Sequence, residues 1–380
     1  MTVTIVDEVA AKLKGQTLHL PSLRDLYARW PNEISPHYDQ HQKIIDDQIS
    51  RRITDEHARR KAEKINVAFF SATWYPRSSL DRLETISWYT LWLFLWDDTI
   101  EDSAIPQASS ESQPSTDKNM KIGWLHQQAL RYVKFHLGLV SPRPAEEPAA
   151  PTRYCALFKY AAEPLRAACT ITERNRLYQL LSSYMECCEV EHGFVSRASL
   201  PKLDEYWGHR LGTSGVHTYG ALGEYMAGGR IPPRLFKTAE IASVWFETNR
   251  QVVIVNDLIS LKKEMNKSLH SLVPISLQDT GADLDEVVRF LLETLRISRD
   301  NINSAADRLL AMVGEDPAAA ARVQNYIGSF QTIATGNYWW SYTDCVIMMA
   351  FASPIHTYIM QHPGHVTGVP GLPSLVNGSN

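Results

Sequence analysis

Residues 80–102, LDRLETISWYTLWLFLWDDTIED, constrain the fold more than any other part of the chain. From 88 to 96 the segment is apolar on every side, the pattern of a helix buried all round. That run falls well short of the roughly 18 residues a membrane span needs. Other protein elements must therefore surround it. The rest of the chain offers helices for the purpose. Residues 122–139, 164–190, 238–264, 284–312 and 317–351 repeat apolar residues at three-to-four spacing. Alternating β-branched runs are scarce, and no Asn-Gly hairpin turn joins two apolar stretches. No repeat of 20–50 residues is visible, which weighs against a solenoid. The expected fold is all-α, a single-domain bundle.

Two segments read as surface loops within that bundle: the Ser/Pro-rich residues 103–119 and the proline-rich residues 141–152. Neither separates unlike halves. The organisation expected is an N-terminal tail (1–20), one helical domain (21–361) and a Gly/Pro-rich C-terminal tail (362–380). A chain of 380 residues can bury a large core. Its 38 Lys and Arg nearly balance 42 Asp and Glu, which argues against a nucleic-acid surface. The five cysteines are odd in number, and none forms a C-x-x-C pair, as expected of a reduced protein. The first residues carry acids and lack a signal-peptide core. A cytoplasmic location is expected, without a membrane span, as monomer or homodimer.

The buried segment ends in Asp97, Asp98, Glu101 and Asp102. Asp97 and Glu101 are four apart and share a helix face. Like charges this close repel, more so near a core, unless a cation sits among them. Grouped carboxylate oxygens suit Mg²⁺ or Mn²⁺. A water-exposed acidic helix end explains the same acids equally well.

A second polar pattern lies in VVIVNDLISLKKE, residues 252–264. Asn256, Ser260 and Glu264 fall at i, i+4 and i+8, drifting only about 40° per step, so they form one stripe. Amide, hydroxyl and carboxylate oxygens in a row can hold a hard cation, and Lys263 beside them can reach an anion. An ordinary polar stripe is the plainer alternative, but this one starts inside an apolar run and needs partners there. A third feature is Arg210, within LDEYWGHRLGTSGVHTYGALGEYMAGG (203–229). Five glycines at 208–223 make an unbroken helix costly, at about 1 kcal/mol each, and point to a kink, a close helix contact or a backbone exposed to a ligand. By itself Arg210 also suits a surface ion pair.

Together these features resemble the class I terpene cyclases, especially the single-domain sesquiterpene type of fungi and bacteria. The resemblance runs from about residue 21 to about 340. The family's aspartate-rich motif is similar to Asp97-Asp98-Thr99-Ile100-Glu101. Its N-D-x-x-S-x-x-K-E motif matches Asn256-Asp257 through Ser260 to Lys263-Glu264 at every defining position. Its diphosphate-sensing arginine, 46 residues before that Asn, falls on Arg210, and its linker and effector positions fall on Thr213 and Ser214. The family's closing motif, G-N-x-x-W-S-x-x-S-x-R-Y, is kept in its front half from Gly336-Asn337 to Trp340-Ser341. Val346-Ile347 stand where Arg-Tyr is usual, and Asp344 stands at a Ser position.

The resemblance implies a prenyl diphosphate substrate, most simply farnesyl diphosphate, cyclised to a sesquiterpene hydrocarbon or alcohol with release of diphosphate. It implies Mg²⁺ as cofactor, as three ions, with Mn²⁺ possible. Asp97, Asp98, Glu101, Asn256, Ser260 and Glu264 would hold metal, Arg210 and Lys263 would hold diphosphate, and Thr213 and Ser214 would act beside them. Aromatic faces stabilise carbocations, and Phe94, Trp339 and Trp340 are the candidates near the motifs. Alternatives are another isoprenoid diphosphate enzyme, a diterpene cyclase or prenyltransferase, and a degenerate, non-catalytic terpenoid-binding protein. Asp98 to Asp102 also spells the D-x-x-E-D of head-to-head condensing enzymes, but the Asn/Ser/Glu stripe favours a cyclase.

Overall fold

The computed structural model of the chain describes residues 5–101, 118–141, 146–197, 199–265 and 269–349; the side chains at 101, 118–121, 263–264 and 342–349 are outside the description. Among the described residues the secondary structure is helical, without strands. In chain order the helices are α1 (Ile5–Leu13), α2 (Tyr38–Arg52), α3 (Glu56–Ile65), α4 (Val67–Trp74), α5 (Leu80–Glu101), α6 (Lys118–His136), α7 (Phe158–Ala168) and α8 (Ile171–Ser196). They continue with α9 (Leu203–Thr213), α10 (Val216–Ala221), α11 (Gly223–Ala227), α12 (Ala239–Glu264), α13 (Leu272–Thr280), α14 (Leu284–Val313) and α15 (Pro317–Met349). The all-α expectation holds.

The apolar half of α5 is enclosed as its sequence demands. Trp92, Leu95 and Trp96 are fully buried, and α2, α3, α4 and α7 pack around the helix. The second central helix, α12, touches α9, α10, α13, α14 and α15. Val253, Ile254 and Val255 are fully buried on three successive faces of it. The apolar interior has two parts. One gathers α2 to α8 with α10 and α11; the other gathers α1, α9 and α13; α12, α14 and α15 feed both. The stretch 1–20, expected as a tail, contains α1 and adds Val9, Leu13, Leu18 and Leu20 to the second part.

One expected helix divides. The pattern over 164–190 continues past Cys169 and Thr170, yet these two residues separate α7 from α8. Both are extended, and Thr170 caps α8 in a reciprocal box with Glu173. The Thr170 hydroxyl accepts from the Glu173 amide at 3.3 Å, while the Glu173 carboxylate accepts from the Thr170 amide at 2.5 Å. The T-x-x-E signature was present in the sequence, and its satisfied amides outweigh periodicity.

Two glycines position the helices that matter for the site. Gly215 adopts φ 70° between α9 and α10, and a Cβ there would lie 3.0 Å from Leu93 Cδ2 on α5. This is the break expected from the glycine-rich stretch. Gly336 lets α15 meet α4: a Cβ would come within 2.6 Å of the Thr73 carbonyl oxygen. The segment 141–152 has no helix among its described residues, whereas 118 and 119 belong to α6. The rest of the expected loop 103–119, and the tail 362–380, lie outside the described residues. No helix among the described residues is long and apolar enough to cross a membrane. Four of the five cysteines are described, and all four are free thiols.

Candidate active site

Helices α5 and α12 carry their polar ends to one cavity of about 610 Å³, which α4, α8, α9, α10 and α15 complete. Each central helix divides the cavity in the same sense. On α5, Phe94 lies one turn before Asp97 and Asp98; on α12, Val252 and Val253 lie one turn before Asn256. Phe70 and Trp74 of α4, Tyr219 of α10 and Trp340 of α15 join the apolar level. Their rings form one cluster. Phe94 and Trp340 lie 5.4 Å apart, Phe70 stands edge-on to both at 5.6 and 5.5 Å, and Trp74 meets Tyr219 at 5.0 Å. Phe70, Trp74, Tyr219 and Val252 are buried and Phe94 and Trp340 half-buried, whereas all four of Asp97, Asp98, Asn256 and Ser260 are partly exposed, so the polar level is the more outward one.

The carboxylates of α5 have compensating partners. Asp97 accepts a hydrogen bond from the Tyr184 hydroxyl of α8 at 2.9 Å. Asp98 pairs with Lys61 of α3 at 3.1 Å. Burial first, then the Asp97 charge, pushes the Tyr184 phenol well above its ordinary pKa, so it stays a donor. Across the cavity, Arg210 donates to Asn256 Oδ1 at 3.0 Å and to Asp257 Oδ1 at 2.8 Å. The other Asp257 oxygen accepts from Tyr206 and from the Leu272 amide, the latter at 2.9 Å. Burial opposes charge on Arg210, but Asp257, Tyr206 and Glu191 outweigh it and hold the guanidinium charged.

Behind Arg210 the chain turns at Gly215. Thr213 and Ser214 line the cavity there. Ser214 donates to Asn249 of α12 at 2.6 Å, and Asn249 in turn donates to the Leu211 carbonyl at 2.6 Å. The break is thus tied to the same helix that carries Asn256.

Of the residues expected from the sequence, the cavity brings together Phe94, Asp97, Asp98, Arg210, Thr213, Ser214, Asn256, Ser260 and Trp340. Trp339 is not among its walls. Adjacent helical residues point about 100° apart, and Trp339 turns to the second core, its indole donating to Asn32. The backbones of Glu101, Lys263 and Glu264 continue α5 and α12, but their side chains lie outside the described residues, as do those of Asp344, Val346 and Ile347. Sequence reasoning did not single out Tyr184, Tyr206 or Glu191, and it named Asp257 as a motif position without giving it a role. A signal existed for Asp257, a carboxylate inside the apolar run before Leu258-Ile259, which burial obliges to find a cation.

Oxygen donors of three kinds, carboxylate, amide and hydroxyl, thus meet at the outward level of one cavity. That donor set fits a hard divalent ion. The model of terpene synthase family 2, C-terminal metal binding, matches residues 89–300, more than half of the chain. The chain belongs to this family. The matched stretch includes Asp97, Asp98, Arg210, Asn256 and Ser260. Among relatives of this terpene synthase is the sesquiterpene cyclase hepA of Aspergillus oryzae, 27% identical over 342 residues, which are 88% of this chain and 89% of that one. The terpene cyclase braA of Annulohypoxylon truncatum is 24% identical over 345 residues, 89% of this chain and 88% of that one. The fold matches the linalool/nerolidol synthase of Streptomyces clavuligerus with a TM-score of 0.67 at 18% identity, covering 82% of this chain and 98% of that chain.

Proposed function

We propose that this terpene synthase is a class I sesquiterpene cyclase that ionises farnesyl diphosphate and guides the resulting cation to a cyclic hydrocarbon or alcohol. The observation that carries this reading is the Arg210–Asn256 hydrogen bond of 3.0 Å in a cavity shared with Asp97, Asp98 and an aromatic cluster. An anion-binding group, two sets of hard oxygen donors and a buried apolar wall meet within about 610 Å³, inside the range of about 300–1,000 Å³ usual for small-molecule sites.

Asp97, Asp98, Asn256 and Ser260, with Glu101 and Glu264 completing the two motifs, would hold Mg²⁺, for which Mn²⁺ could substitute. The bound ions supply Lewis-acid stabilisation of the departing diphosphate. Arg210 gives the diphosphate charge-assisted hydrogen bonds, and Lys263 adds a further positive charge. The allylic C–O bond breaks, its electron pair leaves with diphosphate, and an allylic cation remains on the isoprenoid chain. Phe70, Phe94, Tyr219 and Trp340 line the apolar level. Their ring faces attract the cation, and the walls keep water from it. Thr213 and Ser214, at the Gly215 break, couple Arg210 to α12. Loss of a proton, or capture by water, ends the reaction.

Incubation of the purified chain with farnesyl diphosphate and Mg²⁺, followed by gas chromatography and mass spectrometry of the extract, tests the reading. A C15 hydrocarbon or alcohol absent from boiled controls is expected. Conversion of geranylgeranyl but not farnesyl diphosphate would move the assignment to a diterpene cyclase, and conversion of neither would remove it.

A further inference from the structure

Outside the oxygen donors just described, α8, α9 and the residue pair before α13 bring a different chemistry together. Glu191, His209 and His270 each offer one ligand atom, and all three atoms lie within 4.8 Å of one another. The two imidazole Nε2 atoms are 3.0 Å apart. Two nitrogens bound tetrahedrally to one ion at about 2.0–2.1 Å are separated by about 3.3 Å, so small ring movements suffice. Both rings are buried, and Glu191 and His270 line the cavity.

The surroundings hold the rings in place. Phe194 stacks on His209 at 5.7 Å and lies tilted by 30° against His270 at 6.0 Å. Tyr206 stands edge-on to both at 5.5 Å. His209 sits within α9, buried among its neighbours. His270 precedes α13, whose first amide is tied to Asp257. Burial first, with neighbouring Arg210 adding to it, keeps both imidazoles neutral at ordinary pH, the state in which a ring nitrogen can bind a metal. The Arg210 charge would oppose a second cation, but Asp257 pairs with it and Glu191 brings a negative charge of its own.

We propose that Glu191, His209 and His270 form a second cation site, selective for Zn²⁺ or a similar transition ion over Mg²⁺, with a remaining coordination position open to the cavity. Two imidazoles and one carboxylate suit such ions, whereas Mg²⁺ prefers an all-oxygen shell. When the site is empty, one Nε2–H donates to the other Nε2. When the metal binds, that proton shifts to Nδ1 of the same ring, so both rings ligate through Nε2 as neutral imidazoles.

Equilibrium dialysis of the purified full chain against Zn²⁺ in excess Mg²⁺, with metal content measured by mass spectrometry, tests the site without substrate. About one retained zinc per chain is expected. Co²⁺ in its place should give the visible absorption bands of a low-coordinate, nitrogen-ligated ion. His209→Gln, His270→Gln and Glu191→Gln should each weaken retention by more than about tenfold, while Ser260→Ala retains the zinc. No retained zinc in the wild type, or retention unchanged in all three variants, overturns the proposal. Glu191 is half-buried at the cavity wall, so its variant keeps the test decisive if a histidine variant fails to fold. Should all three fail, the wild-type cobalt spectrum decides, and bands of an all-oxygen octahedral ion overturn the site.

Discussion

On the proposed function, Arg210 and Asp257 form one charge pair that serves both packing and chemistry. Their side chains are 18% and 2% exposed, so each would be a costly isolated charge. Asp257→Ala leaves the guanidinium without its main partner and should destabilise the fold by about 3–5 kcal/mol, measured by chemical denaturation. Arg210→Ala has a separate consequence for turnover. Removing one charged donor to a departing phosphate costs on the order of a hundredfold in rate. The loss should reach that size here because Val346 stands where the family usually has a second diphosphate-binding arginine. Steady-state kinetics with farnesyl diphosphate would measure it, and near-normal turnover would remove Arg210 from the diphosphate site. A third residue links structure to pH. His41 is fully buried, with Nε2 2.9 Å from Ser87 Oγ, and burial lowers its pKa from 6.5 to about 4. Between those values the unfolded chain binds a proton that the folded chain does not. Stability therefore falls as pH drops from about 6.5 towards about 4, and His41→Gln should flatten part of that slope in a pH series of thermal melts.

Among the helices, α4 and α15 approach one another closely at a single residue. Gly336→Ala puts a Cβ against the Thr73 carbonyl, a backbone atom that cannot turn aside, and should cost about 1–3 kcal/mol. A lowered melting temperature together with reduced turnover is expected, since α15 also presents Asn337 and Trp340 to the cavity. The glycine and asparagine were legible as a motif, but their reason, a crossing with α4 more than 250 residues earlier, is tertiary. Helix existence was readable from periodicity at α6, α12, α14 and α15, and from an all-round apolar run at α5. Helix breaks were less so. Gly215 announced one, whereas the Thr170 cap was hidden inside a continuous apolar pattern. Likewise Phe94 and Trp340 reach the cavity while Trp339, one residue away, turns from it. Motif proximity gives a residue's height along a helix, but its direction depends on which neighbours the helix meets.

At the scale of the whole molecule, two buried helices deliver acids and amide to a common level, and other helices close the space beneath. That convergence explains what the sequence could and could not convey. Asp97, Asn256 and Arg210 are charged or polar residues at recognisable spacings, so they stand out in one dimension. Tyr184, Tyr206 and Glu191 act only because α8 and α9 bring them alongside, and nothing in their own segments marks them. On the proposed function, the same convergence makes ionisation depend on both polar stripes at once. Inorganic pyrophosphate released from farnesyl diphosphate is therefore the most direct measure of the central claim, followed with Mg²⁺, with chelator, and in an Asp97→Ala/Asn256→Ala variant that retains its helical circular dichroism. Release that accompanies C15 product formation, stops on chelation and falls by orders of magnitude in the variant is the predicted result. Release unaffected by chelation, or undiminished in the folded variant, would contradict it.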